Sequence, residues 1–181
     1  MIYAMVSIRE QYETFGVEKY YQEHGDTYSN PHREIIHQLL EEQPIGDKVL
    51  DLCCGSGEVT SYLQQKNPTL HITGNDPYTY ASYMRNTQAP CYRFDFKEIA
   101  QGALTNYHFD TIICSFALHL CPISLLPNVL YQLSLISTTL VILTPHKKPE
   151  LPEIFWYQVE ERLVEKVRMR TYRLRDTFVD K

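Results

Sequence analysis

Five short, almost wholly apolar runs punctuate this chain: Lys48-Val-Leu-Asp-Leu-Cys-Cys54, Leu70-His-Ile-Thr73, Cys91-Tyr-Arg-Phe94, Thr111-Ile-Ile-Cys-Ser115 and Thr139-Leu-Val-Ile-Leu143. Each gives way to a polar or turn-prone residue and then to a helix-compatible stretch. A strand with one wet face alternates apolar and polar residues. These runs do not alternate, so both of their faces must be covered, as in a parallel sheet built from βαβ units. Right-handed crossovers and short connections then predict a doubly wound α/β fold, a mostly parallel sheet of six or seven strands with helices on both faces. Ligands on such sheets bind beyond the carboxyl ends of the strands, so the residues just after each run carry the function.

No repeat or low-complexity linker breaks the pattern, and 181 residues suit a single domain. Within 1–181 the expected parts are a helical and aromatic lid segment (1–45), a ligand-binding core (46–145) and a C-terminal strand pair (146–181). Hydrophobic residues at 44% and charged residues at 22% argue against a mainly disordered chain. The net charge of −5 disfavours a global grip on nucleic acid. No apolar run approaches the roughly 20 residues of a membrane helix. The stretch Met1–Val6 is short for a signal peptide and lacks a basic lead. The five cysteines make an odd count with no CxxC pair, which predicts reduced thiols in a cytoplasm and no metal site. Cys53, Cys54 and Cys114 read as small buried hydrophobes.

Ahead of the first run, Asn30-Pro31 reads as an N-cap and first helical residue. Ile35, Ile36, Leu39 and Leu40 follow at helical spacing up to Gln43-Pro44. Further upstream, Tyr12, Phe15, Tyr20, Tyr21 and Tyr28 form an aromatic segment. It suits either a lid over a substrate, with Tyr20, Tyr21, Tyr28 and His32 facing it, or a helix packing its rings on the core.

The most informative stretch is Val49-Leu-Asp-Leu-Cys-Cys-Gly55-Ser-Gly57-Glu-Val-Thr60. Gly55 and Gly57 allow a sharp strand-to-helix turn and close approach to a ligand, and the helix that follows aims its free N–H groups at the same place. A nicotinamide fingerprint wants a third glycine where Thr60 stands and no acid inside the strand. Asp51 would repel a pyrophosphate and suits a cationic ligand such as S-adenosylmethionine, which bears a sulfonium and an ammonium. A phosphate-binding loop fails because no Gly-Lys-Ser/Thr follows. The second run ends at Asp76, beside Pro77, nineteen residues after Gly57, and the third at Asp95-Phe96, nineteen residues further on. A carboxylate at the second strand end can accept both hydroxyls of a ribose. At the third, Asp95 can accept from an adenine amino group while Phe96 packs near the ring. A helix N-cap is the alternative role for each acid.

With these residues the chain resembles the class I S-adenosylmethionine-dependent methyltransferases over roughly residues 30 to 145. The resemblance implies that the segment 50–57, with Asp51, Cys53, Gly55 and Gly57, holds the methionine end of the cofactor. It implies that Asp76 takes the ribose hydroxyls, that Asp95-Phe96 borders the adenine, and that Ser115, Phe116 and His119 belong to the loop after the fourth strand. S-adenosylhomocysteine would be the product.

The resemblance thins after Leu143. Residues 151–163 fit a helix by the spacing of Leu151, Phe155, Val159 and Leu163, and fit a strand by the alternation of Phe155, Tyr157 and Val159. Lys166-Val-Arg-Met-Arg170 alternates as a strand. A strand pair after a much-reduced helix is expected, with a full helix and a six-stranded sheet as the alternative. Enzymes that methylate planar amines carry an Asn/Asp-Pro-Pro-Phe/Tyr tetrad after strand four, where this chain has Ser115-Phe116-Ala117-Leu118, so that chemistry is disfavoured. His119 is a candidate base. His146, with Lys147 and Lys148, suits either an anionic acceptor or a solvated turn. Arg168, Arg170, Arg173 and Arg175 read as a charged edge that discourages aggregation. The resulting expectation is a monomeric or homodimeric methyltransferase acting in line on a small molecule, without membrane attachment. A tRNA, rRNA or protein methyltransferase with a partner subunit and a silent cofactor-binding scaffold are the alternatives.

Overall fold

The computed structural model describes residues 30–148 and 150–175. Its chain order is α1 (Arg33–Glu41), β1 (Lys48–Leu52), α2 (Glu58–Lys66), β2 (His71–Asn75), α3 (Tyr80–Thr87), β3 (Cys91–Tyr92), α4 (Phe96–Ala100), β4 (Thr111–Ser115), a 3-10 turn (Leu118–Leu120), α5 (Leu126–Ser134), β5 (Thr139–Thr144), β6 (Trp156–Val164) and β7 (Val167–Leu174). The seven strands form one sheet in the order β3-β2-β1-β4-β5-β7-β6. The first five are parallel, and β7 runs antiparallel between β5 and β6.

Alternate residues of the central strands point into two separate cores. Leu50, Leu52, Ile112, Cys114, Leu140 and Ile142 pack with α4 and α5 on one side. Val49, Ile113, Val141 and Leu143 pack with α1 and α2 on the other. Strands covered twice must be apolar at every position, which is why the runs lack alternation. Trp156, at the start of β6, is sealed under α5 and donates its Nε1–H to the Leu130 carbonyl at 3.0 Å.

Three local outcomes differ from expectation. The first helix begins at Arg33, because the Asn30 side chain accepts from the His32 N–H at 2.9 Å and closes a turn that holds Asn30-Pro31 outside the helix. β3 is two residues long instead of four. The Asn75 carboxamide takes over its ladder, donating to the Phe94 carbonyl and accepting from the Phe94 N–H. Between β5 and β6 no helix occurs among the described residues, not even a reduced one, and the C-terminal segment is the strand pair. Strand order reverses between β1 and β4, and the residues that follow these two strands frame the crevice.

Candidate active site

At the carboxyl ends of β1, β2, β4 and β5 lies one cavity of about 1040 Å³. Cys53 follows β1 and Phe116 follows β4, and both have a left-handed backbone, each at φ 56°. Such a conformation costs a non-glycine residue about 1–2 kcal/mol. It turns the chain out of the sheet on either side of the reversal point, so both loops open onto the cavity. The Cys53 N–H donates to the Asn75 carbonyl at 2.8 Å, and the Phe116 N–H to that of Leu143 at 2.8 Å, which fixes the two turns.

The two glycines of the first turn divide the work. Gly55 (φ 55°) lines the cavity, and a Cβ there would meet nothing within 4 Å. Gly57 (φ 95°) does not line it. It caps α2, and a Cβ on it would lie 2.4 Å from Cγ2 of Thr87 and 3.2 Å from Cδ2 of Tyr83. Gly57 therefore serves close packing of α2 on α3, whereas the open backbone faces the cavity at Gly55.

Asp51, 1% exposed, lines the cavity from β1 and accepts from the Thr60 hydroxyl. Burial pushes its carboxyl up to about 7, outweighing the hydrogen bonds from Thr60 that pull it down. Asp76 is held by three backbone donors. Its Oδ1 accepts from the N–H groups of Tyr78 (2.9 Å) and Thr79 (3.0 Å), and its Oδ2 accepts from that of Gly55 at 3.3 Å. A carboxylate offers about four acceptor positions, so capacity remains on Oδ2. Thr79 returns a bond from its hydroxyl to the Gly55 carbonyl at 2.8 Å, so the two turns are cross-tied.

Asp95 and Phe96 also line the cavity, together with Pro77, Tyr78 and Phe94. Asp95 is the N-cap of α4 in a reciprocal capping box. Its Oδ1 accepts from the Glu98 N–H at 2.7 Å, and Glu98 Oε2 accepts from the Asp95 N–H at 2.9 Å. The capping role is thus observed at a residue that also faces the cavity.

On the far side stand Ser115, Phe116, His119 and His146. His32 reaches the cavity from ahead of α1 and stacks on Phe116 with ring centroids 5.5 Å apart. His119 and His146 meet edge to face at 4.7 Å. Desolvation, reinforced by His146, lowers His119 to about 4, and its buried Nδ1 has no hydrogen-bond partner among the described residues. Tyr20, Tyr21 and Tyr28, candidates for the substrate side, lie outside the described residues.

Glu58 was not singled out by the sequence as a site residue. It lines the cavity in the first turn of α2 and accepts from the Asn30 N–H at 2.9 Å, drawing the pre-sheet segment over the site. Leu120, Pro122 and Leu125 supply an apolar wall that no motif announces. Among the described residues no group of three metal-binding side chains occurs, and all five cysteines are free thiols.

Residues 21–170 match the family described as "Methyltransferase domain". The chain belongs to the class I methyltransferase family. S-adenosylmethionine is the methyl donor of that family. The chain is also 32% identical over 200 residues to "Uncharacterized protein C17A5.05c" of Schizosaccharomyces pombe, covering 84% of this chain and 81% of that one. Among solved structures it resembles magnesium protoporphyrin IX methyltransferase of Synechocystis PCC 6803 with bound SAM (TM-score 0.61, 15% identity, 96% of this chain and 100% of that one). It likewise resembles the N-methyltransferase NodS of Bradyrhizobium japonicum WM9 in complex with S-adenosyl-l-homocysteine (TM-score 0.63, 15% identity, 86% and 97%). At these identities the likeness is one of fold. For this methyltransferase the residues present fit a cationic nucleoside: a buried acid at Asp51, an oriented carboxylate at Asp76 and an uncrowded backbone at Gly55 all face one cavity.

Proposed function

We propose that this chain methylates a small-molecule acceptor by direct in-line transfer from S-adenosylmethionine. The observation that carries this reading is the extent of the cavity. Its roughly 1040 Å³ run from the acids at the β1–β3 ends to the histidines at the β4–β5 ends, at the upper end of the usual size for a small-molecule site. One wall suits the donor, and space remains on the opposite side for a second molecule.

Asp51 and Gly55 would hold the methionine end of the donor, with Cys53 and the residues around it. Asp76 would take the ribose hydroxyls with Pro77 alongside. Phe96 and Asp95 would border the base, and Ser115 and Phe116 would close the site near the sulfonium. When bound, the donor supplies an electrophilic methyl group. The remaining work is alignment, which alone supplies much of the barrier reduction in such displacements. His119, neutral at physiological pH, is a weak proton acceptor. Its role in this reading is to orient the acceptor by a hydrogen bond, with His32 and His146 flanking.

Calorimetric titration with S-adenosylmethionine and with S-adenosylhomocysteine tests the donor half, and release of labelled methyl onto a metabolite pool tests transfer. Micromolar binding followed by a labelled small product is expected. A folded, ligand-free sample that binds neither compound would overturn the reading.

A further inference from the structure

The acidic and basic side chains that line the cavity are sorted by side. The acids Asp51, Glu58, Asp76 and Asp95 all stand on the β1–β3 side, with Lys97 the cation among them. On the β4–β5 side the ionisable residues are all basic: His119, His146, Lys147 and Lys148. The acidic half suits a cationic donor. The basic half is left without a function by that donor.

The basic rim is built, not merely exposed. Arg170 on β7, 6% exposed, donates from Nη2 to the Lys147 carbonyl at 2.8 Å. Its own charge is met by Glu161, whose Oε2 accepts from Nε at 2.7 Å. The His146 N–H donates to the Thr144 hydroxyl at 3.1 Å, so the loop is pinned from β5 as well as from β7. Glu161 is already engaged by Arg170 and Arg168. Among the described residues neither Lys147 nor Lys148 has a carboxylate in ion-pair range. Two lysines without a carboxylate partner among the described residues thus line the same cavity as the apolar Leu120, Leu125 and Phe116.

The geometry points to an acceptor with an apolar body and an anionic group, carboxylate or phosphate, held by Lys147 and Lys148 beside His146. The inference rests on the proposed methyl-transfer reading, since that reading gives the other half of the cavity to the donor. Cations on a fixed loop attract an anion at long range and fix its orientation on contact.

The test uses the full chain. S-adenosylhomocysteine is titrated first, and the saturated protein is then titrated with benzoate, phenyl phosphate, and the neutral benzamide and benzyl alcohol. At least tenfold tighter binding of one anion than of the neutral pair is expected, falling as salt rises. Tighter benzoate assigns a carboxylated acceptor and tighter phenyl phosphate a phosphorylated one. The Lys147→Glu/Lys148→Glu double variant should lose the preference, the Lys147→Arg/Lys148→Arg pair should keep it, and both should bind S-adenosylhomocysteine within twofold of the parent. Equal binding of charged and neutral probes, no binding of either anion, or a preference that survives charge reversal would overturn the inference. If S-adenosylhomocysteine fails to bind, the function reading falls separately. The anion preference is then read on the ligand-free protein, where the same tenfold ratio is expected.

Discussion

The Thr60 hydroxyl donates to Oδ2 of Asp51 across 2.7 Å, and the Tyr83 hydroxyl lies 2.9 Å behind it, so the buried acid of β1 is tied through α2 to α3. With Asp51 ionised, Thr60 spends its proton on the carboxylate and Tyr83 must donate to Thr60. The ionised acid therefore draws its direct donors from Thr60, by hydroxyl and backbone N–H, where full hydration would have offered more.

That arrangement predicts how stability varies with pH. The carboxyl of Asp51 is raised from 3.8 to about 7, so between these values the folded chain holds a proton that the unfolded chain releases. The contribution of Asp51 to stability is full below the lower value and declines as pH rises through 7. Asp51→Asn should flatten this slope, as measured by denaturant unfolding at pH 5, 6, 7 and 8.

The same proton couples to the donor. A cationic ligand favours the carboxylate, so binding at pH 6 should release a proton and affinity should rise with pH up to about 7. Calorimetry at pH 6 in two buffers of different ionisation enthalpy reads the released proton directly. Identical heats in both buffers would count against Asp51 as the cation's partner.

Asp76→Ala removes three charge-assisted bonds to backbone as well as the acceptor facing the cavity. Bonds to a charged group contribute about 1.5–3 kcal/mol each, so S-adenosylhomocysteine affinity should fall about 10- to 100-fold. Asp76→Asn should restore part of the turn geometry and only part of the affinity, which separates the two roles.

The paired glycines should fail differently. Gly57→Ala drives a methyl into Thr87 at 2.4 Å from a left-handed position and should cost about 1–3 kcal/mol of stability. Gly55→Ala meets no protein atom within 4 Å, and its cost should be confined to about 1–2 kcal/mol of backbone strain. Because Gly55 lines the cavity, its variant should lose ligand affinity beyond what its melting temperature implies.

His119→Gln should leave S-adenosylhomocysteine affinity unchanged while raising the acceptor's KM. Because His119 is lowered to about 4, the transfer rate should show no inflection that this substitution removes between pH 5.5 and 8. An inflection near 6.5 that vanishes in the variant would instead make His119 a proton acceptor in the reaction.

The five parallel strands were legible because burial on both faces leaves an unbroken apolar run at β1, β4 and β5. The acids at 51, 76 and 95 were legible as a set because strand-helix spacing brings strand ends together. β6 was ambiguous for a physical reason: it is an edge strand whose residues after Trp156 are mostly exposed, so burial imprints no period on it. Whether Asp95 caps a helix or faces a ligand was not legible, since a carboxylate at a strand-helix junction suits both and here does the first while lining the cavity. Gly55 and Gly57 are the same letter two positions apart, and only the packing of Tyr83 and Thr87 tells them apart. The Glu58 contact to Asn30 spans 28 residues and leaves no local trace.

The early end of β3 shapes the room available for chemistry. Asn75 is fully buried, and its one carboxamide stands in for the strand pairing that would otherwise carry residues 93–96 onward in the sheet plane. The chain can peel away there without leaving a dangling loop, because both backbone groups of Phe94 remain bonded. A single amide thus acts as the bracket that sets where Phe94, Asp95 and Phe96 leave the sheet to line the cavity. The breadth of the cavity depends on a residue that does not line it.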